Sequence, residues 1–408
     1  MPEPSAGLSE RYFGLDALRG LAALTVVAFH WRHFFYRGVN PPETLDASRF
    51  PFGAAFTGIV RHGDLAVDLF FILSGFIFYS VYSNAIATRQ VGKWDFFVSR
   101  FSRLYPLALA TLLLVAVLQA VMLRTTGSYF IYPANDAFTF ILHLFMASDW
   151  GIQVAAPYFG FIRGHGFDAP IWSVSVEVLL YYFFFVLCVT RRSSAWWAAM
   201  GMVAGFAFML VYTPLGRGVW CFFMGALVYY ASRWLSAQPA VYRRIPLVVA
   251  GVVWIGLTSA EFDPRATVFP VQPVLGSTPL YEYLVWTTLA FPSAVLTLAL
   301  YEERWSRGMR RLKFLGDISY STYLLHFPLQ ILFVLVGTWL SVGTEFYMHE
   351  STFILFTAIL ILLSLVTFHW FEYPARQRLR RFLGGFKRQV PLKRILPEVR
   401  AAGGRASE

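Results

Sequence analysis

Apolar residues in this chain come in long blocks, and most blocks have the length of a bilayer. Those at 15–35, 65–82, 104–122, 171–189, 196–212, 219–234, 246–259, 283–301, 315–339 and 353–373 predict ten membrane-spanning helices, since about twenty apolar residues at 1.5 Å each cross a ~30 Å hydrocarbon core. A further run at 137–150 is apolar but short, and a loop containing Gly and His follows it. It reads as an interfacial or re-entrant helix. The predicted fold is an all-α polytopic membrane protein with about ten transmembrane helices and that one additional short helix.

Composition agrees, because 57% hydrophobic and 14% charged residues over 408 positions exclude an ordinary soluble domain. The net charge of +11 does not imply nucleic acid. Its basic clusters (Lys93, Arg100 and Arg103; Arg191 and Arg192; Arg233, Arg243 and Arg244; Arg304 to Lys313; the tail after Arg376) follow every second span. By the positive-inside rule they place both termini in the cytoplasm, and an eleventh span at 137–150 would put Arg191 and Arg192 outside. Residues 1–376 are expected to form the membrane domain and 377–408 a basic cytoplasmic tail near anionic lipid. Asp16 and Arg19 inside the first block argue against a cleaved signal peptide. Cys188 and Cys221 fall in or beside spans, so neither a disulfide nor a metal site is expected.

The polar exceptions inside these blocks carry the candidate chemistry. At 100° per residue, Asp16, Arg19 and His30 fall within about 60° of one another on the first helix. A charge at membrane depth costs at least ~2.5–3.5 kcal/mol, which favours a functional site over decoration. The alternative is an edge anchor at Asp16 and Arg19 with a buried, satisfied His30. Arg100 and Arg103 share a face where the third span begins, and guanidinium forks suit phosphate. Plain topological anchoring would also explain them. Asp64 and Asp68 stand one turn apart ahead of Ser74-Gly75, a pair suited to close helix approach. Asp68 needs a basic partner, Arg19 or another interior base. Ser173, Glu177 and Tyr181 recur every fourth residue, with Trp172 and Ser175 beside them, as a catalytic, acceptor-binding or packing stripe. Ser319, Thr322, Tyr323 and His326 form another polar face, and His326 and His30 lie ~17 and ~20 Å along their helices, at similar depth. Glu372 and Arg376 are positioned to pair at the rim, with Pro374 limiting helix continuation. These residues fit an enzyme, or a proton-coupled transporter or flippase of a lipid-linked saccharide using His30, His326, Asp68 and Glu177. A catalytically silent assembly partner is the third possibility.

In order along the chain, LDALRGLAAL with His30, VDLFFILSGF, RFSRLYP, WSVSVE, LGDISYSTYLLHFP and EYPAR resemble the acyltransferase 3 family of integral-membrane acyltransferases, from Arg11 to Arg376. The resemblance implies O-acylation of a saccharide, exopolysaccharide, lipopolysaccharide or small molecule. The acyl group, commonly acetyl, would come from cytoplasmic acyl-coenzyme A, a co-substrate rather than a bound cofactor. It implies that His30 is catalytic, that Arg19 is needed for activity, and that Arg100 and Arg103, with Tyr105 beside them, bind the donor. Glu177 corresponds to a characteristic family glutamate. Val178 stands where a second acid is common, and Ala66 where glycine often precedes Val67. No fused extracytoplasmic hydrolase-like domain is expected. The expected setting is a bacterial inner membrane, with membrane lipid and polysaccharide-building machinery as partners. The expected reaction is direct transfer with His30 as general base, Arg19 orienting it through Asp16 or stabilising negative charge, and no paired Ser or Cys nucleophile.

Overall fold

A computed structural model describes residues 12–35, 44–46, 50–53, 59, 62–152, 166–261, 268–270 and 280–384. Each apolar block becomes a helix. These are α1 Phe13–His30, α2 Ala66–Val81, α3 Lys93–Thr126, α4 Ala137–Leu144, α5 Ile171–Val189, α6 Ala195–Val211, α7 Thr213–Ser236, α8 Arg244–Glu261, α9 Leu280–Leu300, α10 Lys313–Trp339 and α11 Glu350–Gly384. Among the described residues, α1, α2, α3, α5, α9, α10 and α11, some with a flanking turn, are long and apolar enough to cross a membrane. Apolar side chains such as Val117, Leu210, Val252 and Leu362 lie exposed on the outside of the bundle, which lipid tolerates and water would not. The chain is an all-α polytopic membrane protein. Its one departure among the described residues is a short antiparallel ribbon, β1 Thr44–Asp46 against β2 Val268–Pro270, with Leu45 opposite Phe269.

Helix α4 has eight residues, about 12 Å, too short to span. Asp136 caps it by accepting from Thr139 N at 2.8 Å. Helix α11 does not stop at Pro374 as expected. It passes through a π turn at Phe368–Glu372 and continues to Gly384, across the domain boundary placed at 376. A similar turn, Trp286–Ala290, precedes Pro292 in α9. In both, the widened turn makes room for a proline that lacks an N–H and crowds the preceding carbonyls. The tail beyond 384 and Arg11 lie outside the described residues.

Small residues set the tightest contacts. A Cβ on Gly75 of α2 would stand 1.9 Å from the Phe222 carbonyl oxygen of α7, and one on Gly225 would stand 2.0 Å from Ile72 O. Backbones can approach this closely only where side chains are missing, as the Ser74-Gly75 pair predicted. Helices α1 and α10 meet the same way, Gly20 against Leu315 and Gly316 against the Asp16 carbonyl. The N-terminus of α1 is held by a carboxylate from outside the helix. Glu302 accepts from Phe13 N at 2.8 Å and Gly14 N at 3.0 Å, satisfying two donors that a helix leaves open and opposing its dipole.

Candidate functional site

A cavity of about 820 Å³ opens between α1, α2, α3, α5, α10 and α11. Most of the polar residues singled out in the sequence line it: Asp16, Arg19, Ser74, Arg100, Arg103, Ser173, Glu177, Tyr181, Ser319 and Tyr323. The close approach of α1 to α10 explains one wall. Arg19 reaches across it with Nε 3.0 Å from Ser319 Oγ and Nη2 2.8 Å from Gly316 O, while Nη2 also meets Asp16 Oδ1 at 3.0 Å. That arrangement corrects the idea that Arg19 orients His30 through Asp16. Eleven residues, about 16 Å of helix, separate Arg19 from His30, and both members of the pair are turned to the start of α10.

Helices α3 and α11 bring further cations to the lining. Arg100 donates through Nη2 to the hydroxyls of Tyr82, at 2.6 Å, and Ser99, at 3.0 Å. Its guanidinium also lies 4.9 Å from the centre of the Tyr82 ring. Arg103 and Arg376 line the same space. Glu372 makes no hydrogen bond to Arg376, although the two charges lie close enough to attract. The π turn directs Glu372 to α10, where it accepts from Ser321 Oγ. Arg376 thus joins the cation set, which the expected rim ion pair had hidden. Tyr105, expected with the donor arginines, stacks on Phe101 at 4.4 Å and does not line the cavity.

Glu177, also in the lining, accepts from Ser74 Oγ at 2.7 Å and from the Tyr181 hydroxyl. It positions no histidine. The pairing of Ser74 with Glu177 bears on the expectation of no paired Ser or Cys nucleophile, because here a carboxylate accepts from a serine hydroxyl. Ser173 lies 2.8 Å from the Tyr323 hydroxyl, whose second contact is Pro170 O at 2.9 Å. Ser175 points elsewhere, accepting from Asp149 N at 3.0 Å while its carbonyl takes Trp150 Nε1. Its role is to hold the chain that follows α4. Tyr320, absent from the sequence candidates, lines the cavity and donates to Leu104 O at 2.7 Å.

His30 and His326 are outside this lining but meet at one depth, as their helix positions predicted. His326 Nε2 is 3.1 Å from His30 Nδ1, and His326 Nδ1 contacts the Tyr323 carbonyl oxygen. Tyr323, which lines the cavity, therefore links it to the histidines. Gln330, one turn further along α10, donates to His30 O at 2.9 Å and faces His33 Nδ1 at 3.2 Å. Neither Gln330 nor His33 was a sequence candidate, although Gln330 continues the Ser319–Tyr323–His326 stripe by one turn.

Asp68 belongs to a second polar cluster, and its partner is not Arg19. Arg217 of α7 contacts both its carboxylate oxygens, Tyr283 donates to Oδ1 at 3.0 Å, and Cys221 lies 3.4 Å away. Arg217 Nη2 is also 3.4 Å from Asp64 Oδ2. Trp172 packs against this cluster, 5.7 Å from the Arg217 guanidinium and edge-on to Phe71. Asp68, Trp172 and Cys221 are thus absent from the cavity lining. Just ahead of α5, Asp168 is fully buried, and loss of hydration pushes its carboxyl up to about 7, against the opposing pull of the Thr111 hydroxyl.

Comparison with known proteins bears on the whole arrangement. A family model described as an acyltransferase domain, Acyl_transf_3, matches residues 12–371. A curated relative, protein 2 in the picA locus of Rhizobium radiobacter, is 37% identical over 107 residues, 26% of this chain and 45% of that protein. The chain thus spans under half the length of this relative. No solved structure matches. With the family match running from the first turn of α1 through the cavity to the π turn of α11, this chain belongs to the acyltransferase 3 family of membrane acyltransferases.

Proposed function

We propose that the protein moves an acyl group, most simply acetyl, from cytoplasmic acyl-coenzyme A to a hydroxyl of a saccharide, exopolysaccharide or lipopolysaccharide acceptor. The observation that carries this reading is the convergence of Arg100, Arg103 and Arg376 on one cavity of about 820 Å³ that leads through Tyr323 to His326 and His30. Guanidinium forks in the lining suit the donor's phosphates, and the polar residues toward Tyr323 suit its thioester. His30 takes the proton of the acceptor hydroxyl as the oxygen attacks the thioester carbonyl. The tetrahedral intermediate collapses with loss of the coenzyme A thiolate, which receives that proton. The products are ester and free thiol, with no covalent enzyme intermediate. General-base help of this kind is worth about 10²–10⁴-fold.

In this reading α6, α7 and α8 join the seven long apolar helices to make ten spans, with both ends of the chain and the arginine cavity on the cytoplasmic face of a bacterial inner membrane. Asp16 and Arg19 hold α1 and α10 in register at the donor end. Glu177, with Ser74 and Tyr181, supplies hydrogen bonds between donor and acceptor subsites. Purified protein in vesicles, given radiolabelled acetyl-coenzyme A and extracted envelope glycans, should label glycan, and His30→Ala should abolish labelling. A stable acylated enzyme formed without acceptor would refute direct transfer. Absence of donor binding across several acyl chain lengths would refute the donor assignment.

A further inference from the structure

The atoms that meet around His30 determine which of its nitrogens can act as a base. The chain of contacts runs from the Tyr323 carbonyl to His326 Nδ1, and from His326 Nε2 to His30 Nδ1 at 3.1 Å. A carbonyl oxygen only accepts, so the proton of neutral His326 is on Nδ1 and its Nε2 presents a lone pair. That lone pair must receive a hydrogen, so His30 carries its own proton on Nδ1. The bare lone pair of His30 is then on Nε2, the Val26 carbonyl one turn back on α1 being a second acceptor beside the ring.

We propose that His326 is a positioning residue that locks His30 in the Nδ1–H tautomer, so that Nε2 is the basic atom offered to an acceptor hydroxyl. The Tyr323 main chain is the anchor of this relay, and the relay needs no carboxylate. This is a solution suited to a bilayer, where a buried anion would cost far more than a backbone carbonyl. The geometry is supported from both sides. His326 is fully buried, so its ring cannot exchange its partners for water, and Gln330 clamps the His30 main chain at 2.9 Å. When His30 Nε2 takes the acceptor's proton, the imidazolium keeps its Nδ1–H on His326, which shares the positive charge until the leaving thiolate takes a proton back from Nε2. Proton count on the pair is the same before and after turnover.

The inference rests on His30 acting as the base in the reaction proposed above, but its structural half can be read without turnover. Nitrogen-15 spectra of histidine-labelled protein, with His30 assigned by its loss in His30→Gln, should show a pyrrole-type signal at Nδ1 and a pyridine-type signal at Nε2. In His326→Leu the His30 tautomers should mix, and kcat should fall about 10²-fold or more, the scale of general-base catalysis, with the KM for acyl-coenzyme A unchanged. His326→Gln offers a carbonyl near the place of Nε2 and should keep transfer within about tenfold of the native rate. A native His30 protonated on Nε2, or an unchanged tautomer in His326→Leu, would overturn the relay. Should His326→Leu fail to fold, the native spectrum and His326→Gln decide the matter, a Gln variant as slow as His30→Ala counting against it. Absence of transfer by the native protein would defeat the acyl-donor reading while leaving the spectrum to judge the relay.

Discussion

Arg217 grips Asp68 from two directions, with Nε 3.2 Å from Oδ1 and Nη2 on Oδ2, and Asp68 has no exposed surface at all. Removing one member of such a pair strands a buried charge, which typically costs about 3–5 kcal/mol, whereas replacing both by apolar groups is often neutral. Asp68→Leu and Arg217→Met should therefore each lower the thermal midpoint in detergent sharply, and the double variant should recover part of the loss, the remainder being Asp64 left without Arg217. A double variant as unstable as the worse single one would show that the pair is not what makes these positions sensitive.

Asp68 also shows where linear pattern stops being informative. Helix positions were legible because the bilayer constrains each span separately in length and apolarity, and 171–189 coincides with α5 from end to end. Partners depend on packing between helices, which no single span encodes. Arg217 lies two residues before the apolar run that begins at 219, so hydropathy leaves it outside the span. Pro214 in the first turn of α7 was the local sign that the helix starts earlier. The common depth of His30 and His326 followed from counting residues, but their contact depends on the glycine-mediated approach of α1 to α10. Arg376 was hidden because a π turn, rather than the α-helical spacing assumed from sequence, determines where Glu372 points.

Gly75 offers a test of close packing away from the cavity lining. Alanine there must place its Cβ 1.9 Å from the Phe222 carbonyl oxygen, a rigid backbone atom, so α2 and α7 must separate. Overpacking of this kind costs about 1–3 kcal/mol. Gly75→Ala should lower the thermal midpoint, and Gly251→Ala, with nothing within 4 Å of the new methyl, should not. Equal behaviour of the two variants would contradict the tight α2–α7 crossing.

Donor binding should track the number of guanidiniums around the cavity. A hydrogen bond to a charged group contributes about 1.5–3 kcal/mol, so Arg103→Ala and Arg376→Ala should each raise the KM for acetyl-coenzyme A about tenfold to a hundredfold. The kcat should change far less, because in the proposed reaction both hold phosphate rather than the reacting carbonyl. Both variants should also show a weaker dependence of KM on salt. A KM unaffected by Arg376→Ala would return that residue to a purely topological role.

Asp168 gives the stability of the fold a dependence on pH. Its carboxyl is raised from an ordinary 3.8 to about 7 in the folded protein, so between these values the folded chain holds a proton that the unfolded chain releases. Stability then falls as pH rises through that window, by as much as ~4 kcal/mol if the full shift is expressed, and stays low above it. Asparagine cannot ionise. Asp168→Asn should therefore remove most of the decline between pH 4 and pH 8, and the variant should be more stable than the native protein at pH 8. The difference between the two thermal midpoints at each pH isolates this one group from the others that titrate. A difference that does not grow with pH would mean that Asp168 ionises as freely in the folded chain as in the unfolded one.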